Sequence, residues 1–143
     1  MNQTTYTDIR RVEQFPGFHD SELVCIEHRP DEHELELCFR RVGGERESLR
    51  FLGVVALRTV DFAAQNVVSR LLISPQYNFS LGEVRNWLEW LGGRVDSRPA
   101  AITNEKVEQC FQQLQAGQQA LFILEPSCGA EMAVLCGAVE IKS

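Results

Sequence analysis

Residues 22–40, ELVCIEHRPDEHELELCFR, carry the clearest structural signal in this chain, because a turn sequence separates two apolar-rich segments. The turn sequence is Pro30-Asp31-Glu32, in which proline restricts φ and aspartate tolerates a tight turn. Apolar and polar residues alternate on both sides of the turn, as in strands that bury one face. Residues 22–40 are therefore predicted to form a β-hairpin.

The register of this hairpin follows from its apolar residues. Pairing Ile26 with Leu37 also pairs Val24 with Phe39 and brings the apolar side chains to one face. The residues of that face are Val24, Ile26, Leu35, Leu37 and Phe39. We expect this face to point towards the core.

The other face of the hairpin is predicted to be at least partly exposed to solvent. The same register places Cys25 opposite Cys38 and Glu27 opposite Glu36. Two facing carboxylates repel each other, so they need solvent or the nearby Arg40.

Two further strands are predicted before the middle of the chain. Residues 42–45 form a turn, and residues 48–57 form a third strand with a bend or bulge at Gly53. The apolar run from Val67 to Ser74 fits a strand or a short helix, and we favour the strand.

The middle of the chain is predicted to contain two helices. Ser80 and Glu83 form a capping box, and the first helix ends at Gly92-Gly93. Its apolar residues have helical spacing: Val84, Trp87, Leu88 and Leu91. The second helix begins near residues 103–104 and ends at Gly117, with the same spacing in Val107, Cys110, Phe111 and Leu114.

The C-terminal part is predicted to be another hairpin, built from Gln119 to Glu125 and Glu131 to Ile141 with a bulge at Gly137.

The order of strands, two helices and strands indicates an α+β fold: an antiparallel β-sheet with hairpins at both ends of the chain and two helices packed against it. A chain of 143 residues is predicted to form one domain over residues 1–143.

Composition indicates a soluble intracellular protein. The chain is 44% hydrophobic, but no apolar run is long enough to cross a membrane. The first residues lack the features of a secretory signal, so we expect a cytoplasmic location and no membrane partner. The five cysteines are an odd number without a Cys-x-x-Cys pair, which favours reduced thiols.

The net charge of −6 favours a protein partner over a nucleic acid. Phosphate binding needs clustered basic residues, whereas the fourteen Lys and Arg residues of this chain are scattered. An acidic surface suits a basic partner.

A zinc site at Cys25, His28, His33 and Cys38 has the right ligand types but the wrong geometry. Residues 25 and 28 of one strand point to opposite faces, so the four side chains do not converge. We predict no metal and no cofactor.

The pair His19-Asp20 is the strongest candidate for acid–base chemistry, because a carboxylate can orient an imidazole. No nucleophile elbow accompanies it, so we predict no catalytic residue and no enzymatic activity. The structural interpretation is that Phe18 fills the core while His19 or Asp20 binds backbone groups at the start of the first strand.

Two surfaces are candidates for partner binding. The first is an acidic surface, in which Glu32, Glu34 and Glu36 are the candidate binding residues, although such clusters are often only solvated faces. The acidic residues of this surface are Glu13, Glu22, Glu27, Asp31, Glu32, Glu34 and Glu36. The second is an apolar patch formed by Tyr77, Phe79 and Trp90. Alternatively, Trp90 is covered by residues 94–101.

A resemblance to a known family rests on two short motifs. Phe18-His19-Asp20-Ser21-Glu22 precedes the hairpin, and Cys128-Gly129-Ala130-Glu131 opens the last strand. This order resembles small bacterial domains with an N-terminal Phe-His-Asp-Ala/Ser-Glu signature, a family that includes immunity proteins of polymorphic toxin systems. The resemblance implies an α+β fold, no known enzyme activity and a toxin-neutralising role.

Two functions therefore stand as expectations. The first is a non-enzymatic protein-binding module that neutralises a basic toxin or another partner through its acidic face. The second is a small-ligand or enzymatic domain with a pocket between sheet and helices, in which His19 and Glu131 are polar groups.

Overall fold

The computed structural model describes residues 5–12, 15, 18–93 and 101–142, which form an antiparallel sheet and two helices. The strands are β1 (Thr7–Asp8), β2 (Glu22–Arg29), β3 (Glu34–Arg40), β4 (Arg46–Leu52), β5 (Ala56–Val60), β6 (Val67–Ile73), β7 (Ala120–Cys128), β8 (Glu131–Cys136) and β9 (Ala138–Lys142). The helices are α1 (Leu81–Leu91) and α2 (Asn104–Gln115). The strand order is β1-β9-β4-β3-β2-β6-β7-β8-β5, which confirms the α+β class.

The first hairpin forms with the predicted register over most of its length. Ile26 faces Leu37, and a short turn over Pro30–Glu32 joins the strands. The prediction is wrong at Val24, because a β-bulge there places Leu23 opposite Phe39. Leu23 is consequently buried and Val24 only half-buried, since a bulge shifts the alternation by one residue.

The predicted third strand is two strands that separate at Gly53. β4 pairs with β3 and β9, whereas β5 pairs with β8 at the far edge of the sheet. The predicted bulge at Gly137 is likewise a break between β8 and β9. The Gly137 N–H donates hydrogen bonds to the carbonyl oxygens of Leu52 and Gly53, at 2.9 and 3.1 Å. The two glycines thus allow a long strand pair to bend sharply at one point.

The sheet folds on itself around a core. Phe51 on β4 and Phe122 on β7 lie four strands apart in the order of the sheet, about 19 Å in a flat sheet. Their ring centroids are only 4.8 Å apart. The half made of β1, β9, β4, β3 and β2 therefore covers the half made of β6, β7, β8 and β5.

The helices pack on the outer side of the second half. Ser80 and Glu83 form the predicted capping box of α1, and the Thr103 side chain caps α2. Buried residues of the helices contact the outward side chains of β7 and β8, in a cluster that contains Val84, Val107, Cys110, Leu114, Leu121, Ile123, Ala133 and Leu135. Because β7 is covered on both faces, residues 120–124 are all buried. In the part of the chain that the structure describes, no helix is long and apolar enough to span a membrane.

Candidate functional site

The site with the clearest geometry is a cavity of about 360 Å³ between the two helices and the β5–β8 edge of the sheet. Its size lies in the range of small-molecule pockets. The walls are mostly apolar and come from both helices and both strands: Val55, Ala56, Leu88, Leu91, Ile102, Cys110 and Leu135. Burial raises the pKa of the Cys110 thiol, so this side chain is neutral at physiological pH and adds to the apolar wall.

A polar rim borders this apolar cavity on the side of α2. Lys106, Gln109 and Gln113 are spaced as one stripe of the helix, and Gln119 follows the helix. Within residues 5–12, 15, 18–93 and 101–142, none of these four side chains has a hydrogen bond or ion pair. Lys106 carries the formal charge among the described lining residues. The cavity therefore combines apolar walls with free donors at its mouth.

His19 and Asp20 lie at the start of β2, away from this cavity. The Nδ1 atom of His19 is 2.8 Å from the carbonyl oxygen of Ser69, and its Nε2 atom is 3.4 Å from an Asp20 carboxylate oxygen. The two side chains are 73% and 58% exposed. Phe18, in contrast, is fully buried and packs on Phe39 at 4.9 Å between ring centroids. This arrangement agrees with the structural interpretation of the motif.

The two short motifs of the sequence converge on residues 65–69. Asp20 donates its N–H to the carbonyl oxygen of Val68, and Ala130 donates its N–H to Oδ1 of Asn66. The Asn66 side chain also binds both backbone groups of Ala63. Asn66 is 4% exposed, and its side-chain amide satisfies the buried N–H of Ala130, a role that no local sequence pattern indicated.

Glu131 and His19 both lie outside the cavity between the helices and the β5–β8 edge. Glu131 begins β8, where it is half-buried and lies opposite Val60. Neither His19 nor Glu131 is among the described residues that line the cavity. A pocket between sheet and helices is present, but its polar groups are those of Lys106 and the glutamines.

A single arginine, Arg29, partly neutralises the carboxylates of the acidic surface. The Arg29 guanidinium pairs with Glu27, Glu32, Glu34 and Glu36, the last three at 3.5, 3.2 and 3.4 Å. Arg29, and not the predicted Arg40, therefore compensates the facing carboxylates. Only Glu27 and Glu32 are strongly exposed in this set, at 61% and 64%.

Glu36 is held most firmly of these carboxylates. Burial pushes its pKa upwards, but hydrogen bonds from the Tyr6 hydroxyl and from Arg29 outweigh burial and lower the pKa below its usual value. The Tyr6 hydroxyl donates to Glu36 over 2.7 Å. Glu36 is only 18% exposed, so it contributes little to a surface that a partner can contact.

The predicted patch of Tyr77, Phe79 and Trp90 does not form. Phe79 is 3% exposed and packs edge-on against Tyr77 before the start of α1, so it adds no exposed surface, and all three rings belong to the cluster that packs the helices on the sheet. Trp90 packs edge-on against Trp87 at 5.6 Å, and the Arg58 guanidinium lies 4.7 Å from its ring. The alternative cover for Trp90, residues 94–101, falls largely outside the described residues.

The described residues contain no group of three or more His, Cys, Asp or Glu side chains that could hold a metal ion. Cys25 and Cys38 do face each other across β2 and β3, but His33 lies in the turn.

No family model, curated protein or solved structure matches this chain.

Proposed function

We propose that the protein is a binding module for a small amphipathic ligand that has a hydrocarbon part and an anionic group. The observation that supports it is the combination of an apolar cavity with the unpaired Lys106 and glutamines at its mouth. The hydrocarbon part lies between Leu88, Leu91 and Leu135. The anionic group binds the Lys106 ammonium, and the amide of Gln109 or Gln113 donates a hydrogen bond to it.

Size and charge both favour this class of ligand. Each methylene group that leaves water contributes about 0.8 kcal/mol, so the apolar walls reward a chain of several carbons. A charge pair at an exposed rim contributes about 1 kcal/mol or less. The apolar part should therefore determine most of the affinity, and Lys106 should select the charge of the head group.

A homologous series of carboxylates tests both parts. In calorimetric titrations, we expect each step from hexanoate to octanoate to decanoate to tighten binding about tenfold, until the cavity is full. Lys106→Gln should weaken octanoate about fivefold, because it removes the charge pair. Octanol should bind both proteins equally.

Two further variants make this test specific. Arg46→Gln removes one exposed positive charge from β4, far from the cavity, and should leave octanoate binding unchanged. Ala56→Phe should fill the cavity and abolish binding of octanoate and octanol alike. Equal affinity of the wild-type protein for hexanoate and decanoate would contradict the proposal, as would binding that survives Ala56→Phe in a folded variant.

The exposed end of the acidic surface supports a second candidate function, which is neutralisation of a basic protein such as a toxin. Glu27 and Glu32 are exposed, and Arg29 balances only one of the four carboxylates around it. An excess of negative charge accelerates association with a basic partner. Glu34 and Glu36 support this surface indirectly, because they hold Arg29.

Affinity capture from cells that naturally produce the protein tests this second candidate. We expect a basic protein to bind the wild type and to be lost when Glu27 and Glu32 are both replaced by lysine. The matched control is Glu108→Lys on the exposed side of α2, which should retain the partner. Equal retention by the hairpin variant would contradict a role for this surface, as would retention that does not weaken at high salt.

A further inference from the structure

Two thiols face each other on the outer side of the β2–β3 hairpin. Cys25 on β2 and Cys38 on β3 are register partners. Partners in an antiparallel pair have Cα atoms about 4.5–5.5 Å apart, which lies within the range that a disulfide spans. Among the five cysteines, they are the two that the described strand pairings place opposite each other.

The two thiols differ in solvent exposure and in hydrogen bonding. Cys25 is exposed, whereas Cys38 is half-buried and accepts a hydrogen bond from the Ser48 hydroxyl at 3.5 Å. The β-bulge before Cys25 twists the strand pair locally, which gives the hairpin freedom to adjust. Cys25 can therefore react with a reagent in solvent, and Cys38 can then attack the resulting mixed disulfide at Cys25.

We propose that Cys25 and Cys38 form a reversible dithiol–disulfide site for small-molecule disulfides of the glutathione type. The Cys25 thiolate attacks one sulfur of the external disulfide, which forms a mixed disulfide and releases one thiolate. Cys38 then loses its proton to solvent, attacks Sγ of Cys25 and releases the second thiol. The protein thiols are oxidised by two electrons, and the external disulfide is reduced to two thiols.

The rate of the first step depends on the fraction of Cys25 that is ionised. Partial burial of Sγ, followed by the neighbouring Cys38 and Glu36, raises the pKa of the Cys25 thiol. Little thiolate is therefore present at neutral pH, and exchange should accelerate as the pH rises.

Incubation of the folded protein with oxidised glutathione tests the site. We expect the mass of the product to fall by two hydrogen atoms, with two fewer free thiols and no dimer. A protease that cuts after glutamate separates the two cysteines at Glu27, Glu32, Glu34 and Glu36, so their peptides stay together only through the disulfide. Reduction with dithiothreitol should restore all the thiols.

Three variants assign the roles of the two sulfurs. Cys38→Ser should accumulate a glutathione adduct on Cys25, because nothing displaces it, whereas in Cys25→Ser the half-buried Cys38 should gain an adduct far more slowly. Cys128→Ser removes the other exposed thiol and should still form the disulfide. A stable adduct on Cys25 of the wild-type protein would overturn the proposal, and so would a disulfide that includes Cys128.

Discussion

Replacing Gly129 by alanine is expected to lower the free energy of unfolding by about 3 kcal/mol or more. Gly129 has φ of +80°, and a Cβ atom would lie 2.5 Å from both Oδ1 of Asn66 and the carbonyl oxygen of Gln65. Those atoms belong to the segment on which the two sequence motifs converge. The added methyl group would displace Asn66 and leave the buried N–H of Ala130 without its partner. Urea denaturation followed by circular dichroism measures the loss.

Gly117→Ala is the matched control for this substitution. Gly117 also has a positive φ, of +74°, but nothing lies within 4 Å of a Cβ atom added there. Its replacement should cost only the strain of the left-handed conformation, about 1–2 kcal/mol. Equal losses in the two variants would show that the contact with Asn66 has no energetic weight.

Phe122→Ala is expected to destabilise the protein by about 3–5 kcal/mol, because it removes a fully buried ring from the centre of the folded sheet. Phe62→Ala, at an aromatic residue that is 53% exposed, should change stability by no more than about 0.5 kcal/mol. Thermal and urea denaturation of both variants provide the comparison.

The contact between Phe122 and Phe51 also tests the folding of the sheet. In a double-mutant cycle with leucine at both positions, we expect a coupling free energy of about 0.5–1.5 kcal/mol. Leucine keeps most of the buried volume, so the variants should remain folded. Additive effects would contradict the fold, because in a flat sheet the two residues would be too far apart to couple.

Local sequence signals predicted the elements of this protein well, because each depends on residues close together in the chain. The capping box of Ser80 and Glu83 and the turn at Pro30 lie where they were predicted. The register from Cys25 to Arg29 also followed from local alternation. The bulge at Val24 did not, and no local pattern indicates that residues 21–23 form backbone hydrogen bonds with residues 66–68.

The candidate site was harder to predict, because its walls come from distant segments. Cys110 was expected in the core, and its side chain does line the cavity floor. Lys106 and Gln113 carry no local signal of function, since long polar residues on a helix usually face solvent. Only the tertiary structure brings both residues to a cavity whose lining also includes residues of α1, β5 and β8.

Local patterns in the sequence were enough for the first hairpin, for β6, for the two helices with their caps and for the α+β class, because periodicity and capping depend on residues close together in the chain. The tertiary structure decided where the chain breaks, at Gly53 and Gly137, so that β5 pairs with β8 at one edge of the sheet while β9 lies between β1 and β4 near the other. It likewise decided that Arg29 gathers the carboxylates of the hairpin. These features depend on which strands, far apart in the chain, pack together and bury apolar side chains. The alternation of apolar and polar residues along one strand shows which face is buried, but not which strand pairs with it.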